Sequence, residues 1–175
     1  MVYIMEFKVN GIYRDGRYGP VAAAAACHLG RDRRVRQTRT EEVGDLLHPE
    51  RHRHPTSQRA EMAAVIMALE WAFELYDDLR SYPRLSVVIR TDSHYAVGCM
   101  THLVDRWVAN GWINARGREV ANRDILEKAK KYSDLLARLG SVTFEYIPRE
   151  ANREPEVETV ELLDQLDNDY SYWFE

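Results

Sequence analysis

A chain of 175 residues, 45% apolar and 30% charged, is long enough for one domain with a real core and too apolar for a disordered segment. Two cysteines, Cys27 and Cys99, are too few for a disulfide framework, so a reducing, intracellular setting is expected; no signal peptide, transit peptide or membrane span is legible. The formal charge of −4 hides an asymmetry, because Glu154–Glu175 carries 8 acids and no Lys or Arg while the rest carries 24 basic and 20 acidic side chains, which reads either as a solvated tail on a neutral body or as a mildly basic body able to meet phosphate.

In chain order, "YIMEFKV" (3–9) reads as a strand, with Phe7 and Val9 on one face and Glu6 and Lys8 on the other. Two positions compete for its end. Asn10-Gly11 is a strong turn signal, so the strand is expected to stop at Asn10 and leave "GIYRDGRYGP" as a loop. Ending it at Asp15-Gly16 would give a tight hairpin instead. "GPVAAAAACHLG" is helical by propensity, yet its bounding Gly19-Pro20 and Gly30 also allow a closely packed central strand. "RRVRQTRT" is a strand with one wet face. "EEVGDLLHPERHRHPTS" is a loop whose His48, His52 and His54 match no closed zinc set.

Thr56 or Ser57 caps a helix running to about Leu79, with Met62, Val65, Ile66, Leu69, Ala72, Phe73 and Tyr76 as its apolar stripe. "LSVVIRTD" is a strand whose unbroken Val-Val-Ile suits burial on both faces. "SHYAVGCMTHLVDRWVAN" is helical, in one or two pieces, and "WINARGREVA" is a loop; Trp107 and Trp112 read as packing residues first and base-stacking residues second. Asn122 caps a helix carrying Leu126, Ala129, Leu135, Leu136 and Leu139, with a Glu127–Lys131 pair and Gly140 just past its end. "SVTFEYI" is a strand, "PREANRE" a loop, and "PEVETVELLDQL" a last helix with Pro155 in its first turn. The order β β β α β α α β α predicts a mixed α/β sheet in a single domain, residues 1–166, followed by an acidic tail, 167–175.

Sites in open α/β sheets form beyond the carboxyl ends of the strands. Asp92 follows "VVIRT" directly, Asn10 follows "EFKV", Glu61 lies in the first turns of the long helix, and Glu154, Glu156 and Glu158 open the last one. Acids gathered at one rim repel each other unless a divalent cation neutralises them, and Mg²⁺ takes such oxygen ligands. Two such ions can activate a water and stabilise a leaving oxygen in phosphodiester cleavage. Taken singly, Asp92 reads equally well as a helix cap and Glu61 as a surface acid at a positive helix end.

Together, "TSQRAEMAAVIMALEWA", "VVIRTDSHYAV" and "RWVANGWINARGREVANRDILEKA" resemble type 1 ribonuclease H, particularly its divergent fungal members, from about Glu6 to Leu163. The resemblance implies a five-stranded ribonuclease H-like sheet, its first three strands antiparallel, flanked by helices. It implies an endonuclease that cuts the RNA strand of RNA–DNA hybrids with two Mg²⁺ ions, Mn²⁺ substituting, as a monomer. The family's catalytic and metal-holding acids fall on Asn10, Glu61, Asp92 and Glu156, and its substrate contacts on Gly11, Ser57, Gln58 and His94. Asn10 is the departure: an amide offers Mg²⁺ a neutral oxygen and no charge. Asp15 is then a possible substitute carboxylate, with Glu6 a second. The alternative is a catalytically impaired domain, a pseudoenzyme that binds nucleic acid or protein. Arg31, Arg33, Arg34, Arg36 and Arg39, or Arg106 and Arg116, are candidate phosphate contacts.

Overall fold

Small side chains set the geometry of this molecule, because they let helices touch the sheet at backbone distance. The computed structural model describes residues 1–17, 19–46 and 56–174. Five strands, β1 (Val2–Gly16), β2 (Gly19–Leu29), β3 (Val35–Glu42), β4 (Arg84–Thr91) and β5 (Gly140–Tyr146), form one sheet in the order β3-β2-β1-β4-β5. The β1–β2 and β2–β3 pairs are antiparallel, and β1–β4 and β4–β5 are parallel. The helices are α1 (Val43–Leu46), α2 (Ser57–Asp77), α3 (His94–Gly98), α4 (Val104–Ala109), α5 (Arg123–Ala137) and α6 (Arg153–Phe174). A π-helical turn, Cys99–Leu103, joins α3 to α4, and a 3-10 turn, Arg149–Ala151, precedes α6. His48, His52 and His54 lie outside the described residues.

The alanine run is a strand. Ala22, Ala24 and Ala26 pack into the core under α2, whereas Val21 and Ala23 meet Leu163 of α6 on the other face. Both faces of β2 carry a helix at close range, which helix propensity alone would not reveal. On the α2 side the core is filled by Met5, Phe7, Leu69, Trp71, Leu85, Ile89 and Leu126, all essentially inaccessible to water. Thr56 caps α2 by accepting the Arg59 amide at 3.2 Å, as expected from the sequence.

Several local expectations are corrected. β1 does not turn at Asn10-Gly11 but runs on to Gly16, pairing Asn10 with Ala25 and Gly11 with Ala24. Gly11 serves packing rather than turning: a Cβ there would lie 2.0 Å from the Ala60 carbonyl oxygen of α2. β4 is not buried on both faces, because Ser86, Val88 and Arg90 alternate as half-buried positions. Asn122 adopts a left-handed φ of 62° and makes no side-chain cap; its amide nitrogen bonds Tyr95 Oη at 3.2 Å and Gln58 Oε1 at 3.3 Å. Glu127 is held by Arg123 at 2.7 Å, one turn back, rather than by Lys131. Gly140 opens β5, where a Cβ would meet the Leu85 carbonyl, instead of ending α5. α6 continues through the acidic segment to Phe174, and Arg14 reaches across to Asp164 and Asp167 at 2.7 and 3.2 Å.

A methyl group at Gly11 would wedge α2 off the sheet. Gly11→Ala should cost about 3 kcal/mol, the upper end for overpacking, and lower the melting temperature by roughly 6–12 °C in a chain of this size. A thermal melt followed by circular dichroism checks it.

Candidate functional site

The parallel pairing of β1 and β4 ends at Lys8 and Arg90, after which β4 turns away toward α3 and β1 runs on. Asn10 and Asp92, each two residues further, flank this split. A cleft of about 270 Å³ opens there, lined by Asn10, Gly11, Ser57, Glu61, Asp92 and Glu156, with Ser93 and Arg149 at its sides. The four positions picked out by the carboxylate pattern thus line one cleft, although they come from β1, α2, the β4–α3 link and α6.

Each polar group is held by its own partner. Asp92 does not cap α3; Ser93 does, its Oγ accepting the Ala96 amide at 3.0 Å. The same hydroxyl donates to Glu61 Oε2 at 2.5 Å. Asn152, 1% exposed, donates through Nδ2 to Asp92 Oδ1 at 2.9 Å and to the Val9 carbonyl at 2.8 Å. Its own Oδ1 is buried without a partner among the described residues, a penalty for holding the amide in this orientation. Glu61 and Asp92 therefore each have one oxygen tied, while Glu61 Oε1 and Asp92 Oδ2 face no recorded donor among the described residues.

Asn10 is nearly buried, and its Nδ2 donates to Thr159 Oγ1 at 2.8 Å. The Thr159 hydroxyl in turn donates to the Glu156 carbonyl at 2.8 Å, which fixes it as the acceptor for Asn10. The amide nitrogen is committed to α6, and Oδ1 remains for a ligand. Glu156 Oε1 accepts from Arg149 Nε at 2.7 Å and also from Nη2. Burial holds the Glu61 carboxyl above its usual range, with the Ser93 hydrogen bond opposing and the nearby Asp92 charge adding to the rise.

The substitute acids are elsewhere. Asp15 is exposed, accepts the Tyr13 hydroxyl, and lies five residues beyond Asn10, roughly 16 Å along the strand. An odd number of steps also sets it on the opposite face of the sheet. Glu6 pairs with Arg90 at 3.3 Å. Glu154 pairs with Lys8 at 3.3 Å.

Of the expected substrate contacts, Ser57 and Gly11 line the cleft, and Gln58 turns toward Asn122. His94 is not among the residues that line the cleft; it stacks on Tyr146 with ring centroids 3.9 Å apart and planes 11° from parallel. The arginines of the β2–β3 turn lie at the far end of the sheet, since Leu29 pairs with Glu6, and there Arg36 meets Asp32. Arg39 sits level with Val9 but two strands away, beside Ala26, and is paired with Glu74. Trp107 and Trp112 pack together, centroids 6.3 Å apart, as packing residues. Sequence reasoning missed Ser93, Asn152, Thr159 and Arg149. The first two were within reach, as the serine of "TDS" and the asparagine four residues before Glu156, but only the fold brings them against Glu61 and Asp92.

Among the described residues, no three His, Cys, Asp or Glu side chains form a group able to hold a metal ion. Glu61 and Asp92 supply charge and Asn10 Oδ1 a neutral oxygen, while Glu156 already holds a guanidinium.

A model of the RNase H family matches residues 8–156. A "Probable ribonuclease H" of Acanthamoeba polyphaga mimivirus is 30% identical over 77 residues, 44% of this chain and 32% of that protein. A "Ribonuclease H" of Geotalea uraniireducens is 36% identical over 74 residues, 42% of this chain and 44% of that protein. The chain therefore matches less than half the length of these curated relatives. Among solved structures, LC11-RNase H1 in complex with RNA/DNA hybrid superposes with a TM-score of 0.61 at 20% identity, covering 93% of this chain and 98% of that one. RNase H1 of the archaeon Halobacterium salinarum NRC-1 gives 0.58 at 19% identity, covering 93% and 99%. At these identities the shared property is the fold.

The raised Glu61 pKa has a definite sign. The folded protein keeps a proton that the unfolded chain has released, so this group favours folding least once pH has risen through the folded pKa. Glu61→Gln keeps the Ser93 hydrogen bond and removes that loss. Its melting temperature, without added metal, should exceed that of the unmodified protein near about pH 7 and converge with it near about pH 4. Melts across pH check this.

Proposed function

The chain belongs to the ribonuclease H family, and from that premise we propose that it binds RNA–DNA hybrid and hydrolyses the RNA strand, slowly, with a divalent cation. The observation that carries the reading is the gathering of Asn10, Ser57, Glu61, Asp92 and Glu156 in one cleft at the carboxyl end of β4. Glu61 and Asp92, with Asn10 Oδ1, would hold the cation, Mg²⁺ or Mn²⁺, which when bound supplies a Lewis acid for water attack on a phosphodiester.

The protein's own contribution is to hold these groups still. Ser93 and Asn152 each donate to one oxygen of Glu61 and Asp92, so both carboxylates keep a fixed orientation and a free second oxygen. Thr159 fixes Asn10 by accepting from its amide nitrogen, which leaves Oδ1 free. Ser57, at the exposed start of α2, sits where its hydroxyl and the helix N-terminus can meet the nucleic-acid backbone. His94, two residues past Asp92 and held in a stack on Tyr146, is a further candidate contact for the nucleic acid. Asn10 is the weak point, because it contributes no charge where an aspartate would.

A second reading, hybrid binding without cleavage, is favoured by Asn10 and by the guanidinium resting on Glu156. A labelled RNA–DNA hybrid, in Mg²⁺ and in Mn²⁺, separates the two. The unmodified chain should cut slowly and Asp92→Asn not at all. Asn10→Asp should cut at least about tenfold faster, equivalent to about 1.4 kcal/mol of transition-state stabilisation from one added charge. Binding by all three without cutting by any would carry the second reading, and neither binding nor cutting would overturn both.

A further inference from the structure

We infer that Arg149 is a phosphate-binding residue of the cleft, a resident guanidinium that grips a phosphodiester oxygen of the nucleic-acid backbone. This rests on the nucleic-acid reading above and adds a residue to it. Arg149 projects from the 3-10 turn between β5 and α6, and it is the only basic side chain among the described residues lining the cleft. The other ionisable groups there are Tyr13 and the carboxylates Glu61, Asp92 and Glu156. An entering phosphodiester would meet three negative charges and this one positive charge.

The geometry suits a clamp. Nε and Nη2 both donate to the same oxygen, Glu156 Oε1, which anchors the guanidinium plane on α6. Nη1 has no acceptor among the described residues, and the side chain is 75% exposed. An anchored, permanently charged fork with one edge free is the arrangement that binds phosphate oxygens directionally. A purely structural role accounts poorly for it, since so exposed an ion pair adds little stability. Arg149 supplies fixed positive charge beside Glu156 and within reach of the Asp92 charge, where an incoming phosphate would otherwise meet only carboxylates.

The test measures hybrid binding by fluorescence anisotropy over a salt series, in EDTA and again in Ca²⁺. It compares the unmodified chain with Arg149→Ala, Arg149→Lys and Glu156→Gln. Arg149→Ala should weaken binding by about five- to tenfold and reduce the slope of log affinity against log salt by about one, the signature of one lost phosphate contact. Arg149→Lys should keep the slope and lose part of the affinity. Glu156→Gln, which removes a repelling charge, should tighten binding. Melting temperatures of Arg149→Ala and the parent should agree, because the residue sits on an exposed turn. Hybrid binding by the parent with an unchanged slope in Arg149→Ala overturns this inference alone. No binding by the parent in either medium overturns the proposed function and this inference together.

Discussion

The cleft depends on the approach of α2 to β1 at Gly11. There the two backbones come so close that a single Cβ would stand 2.0 Å from the Ala60 carbonyl oxygen. That contact sets the start of α2 beside the middle of β1, and Glu61, the next residue along α2, is thereby brought to the same cleft as Asn10. The alanines of β2 extend the same principle, letting α2 lie close on one face and α6 on the other. The Arg59–Asp124 pair, two contacts of 3.0 and 2.9 Å at the starts of α2 and α5, then holds that end of the helical layer together.

Charge follows from this geometry. Three carboxylates and an amide share a space of about 270 Å³. Glu61 answers by keeping its proton to a higher pH than a solvated glutamate, Asp92 by leaning on Asn152, and Glu156 by pairing with Arg149. With Asp at position 10 the crowding would be worse and the demand for cations greater. With Asn there, the amide satisfies itself against Thr159, and on the proposed reading one cation beside Glu61 and Asp92 would balance what remains. The Asn10 and Arg149 observations thus describe one condition of the cleft, a site less negative than four acids would make it.

Much of this was legible in the sequence. Glu61, Asp92 and Glu156 were recognisable as acids at the starts of helices or the end of a strand, and the element order implied the mixed sheet that is found. The end of β1 is not legible because Asn10-Gly11 carries a turn signature whatever its context. Only the tertiary fold shows that Gly11 is there for α2 and that the strand continues to Gly16. Asp15-Gly16 does end β1, yet Asp15 stays out of the cleft, because the site forms where β4 leaves β1 and not where β1 ends. Asn152, Ser93 and Thr159 leave no periodic signal, because their partners are 60 or more residues away, or 32 for Ser93 with Glu61. Arg149 was indistinguishable from any loop arginine until the cleft was built.

On the proposed function, this cleft would hold one divalent cation, on Glu61 and Asp92. The most direct measurement is a crystal structure grown with Mn²⁺, with anomalous scattering used to count and locate the ions. One peak bound by Glu61 and Asp92, with Glu156 still paired to Arg149, is the predicted result. Two peaks, with Glu156 released from Arg149 and Asn10 bridging the ions, would contradict the account.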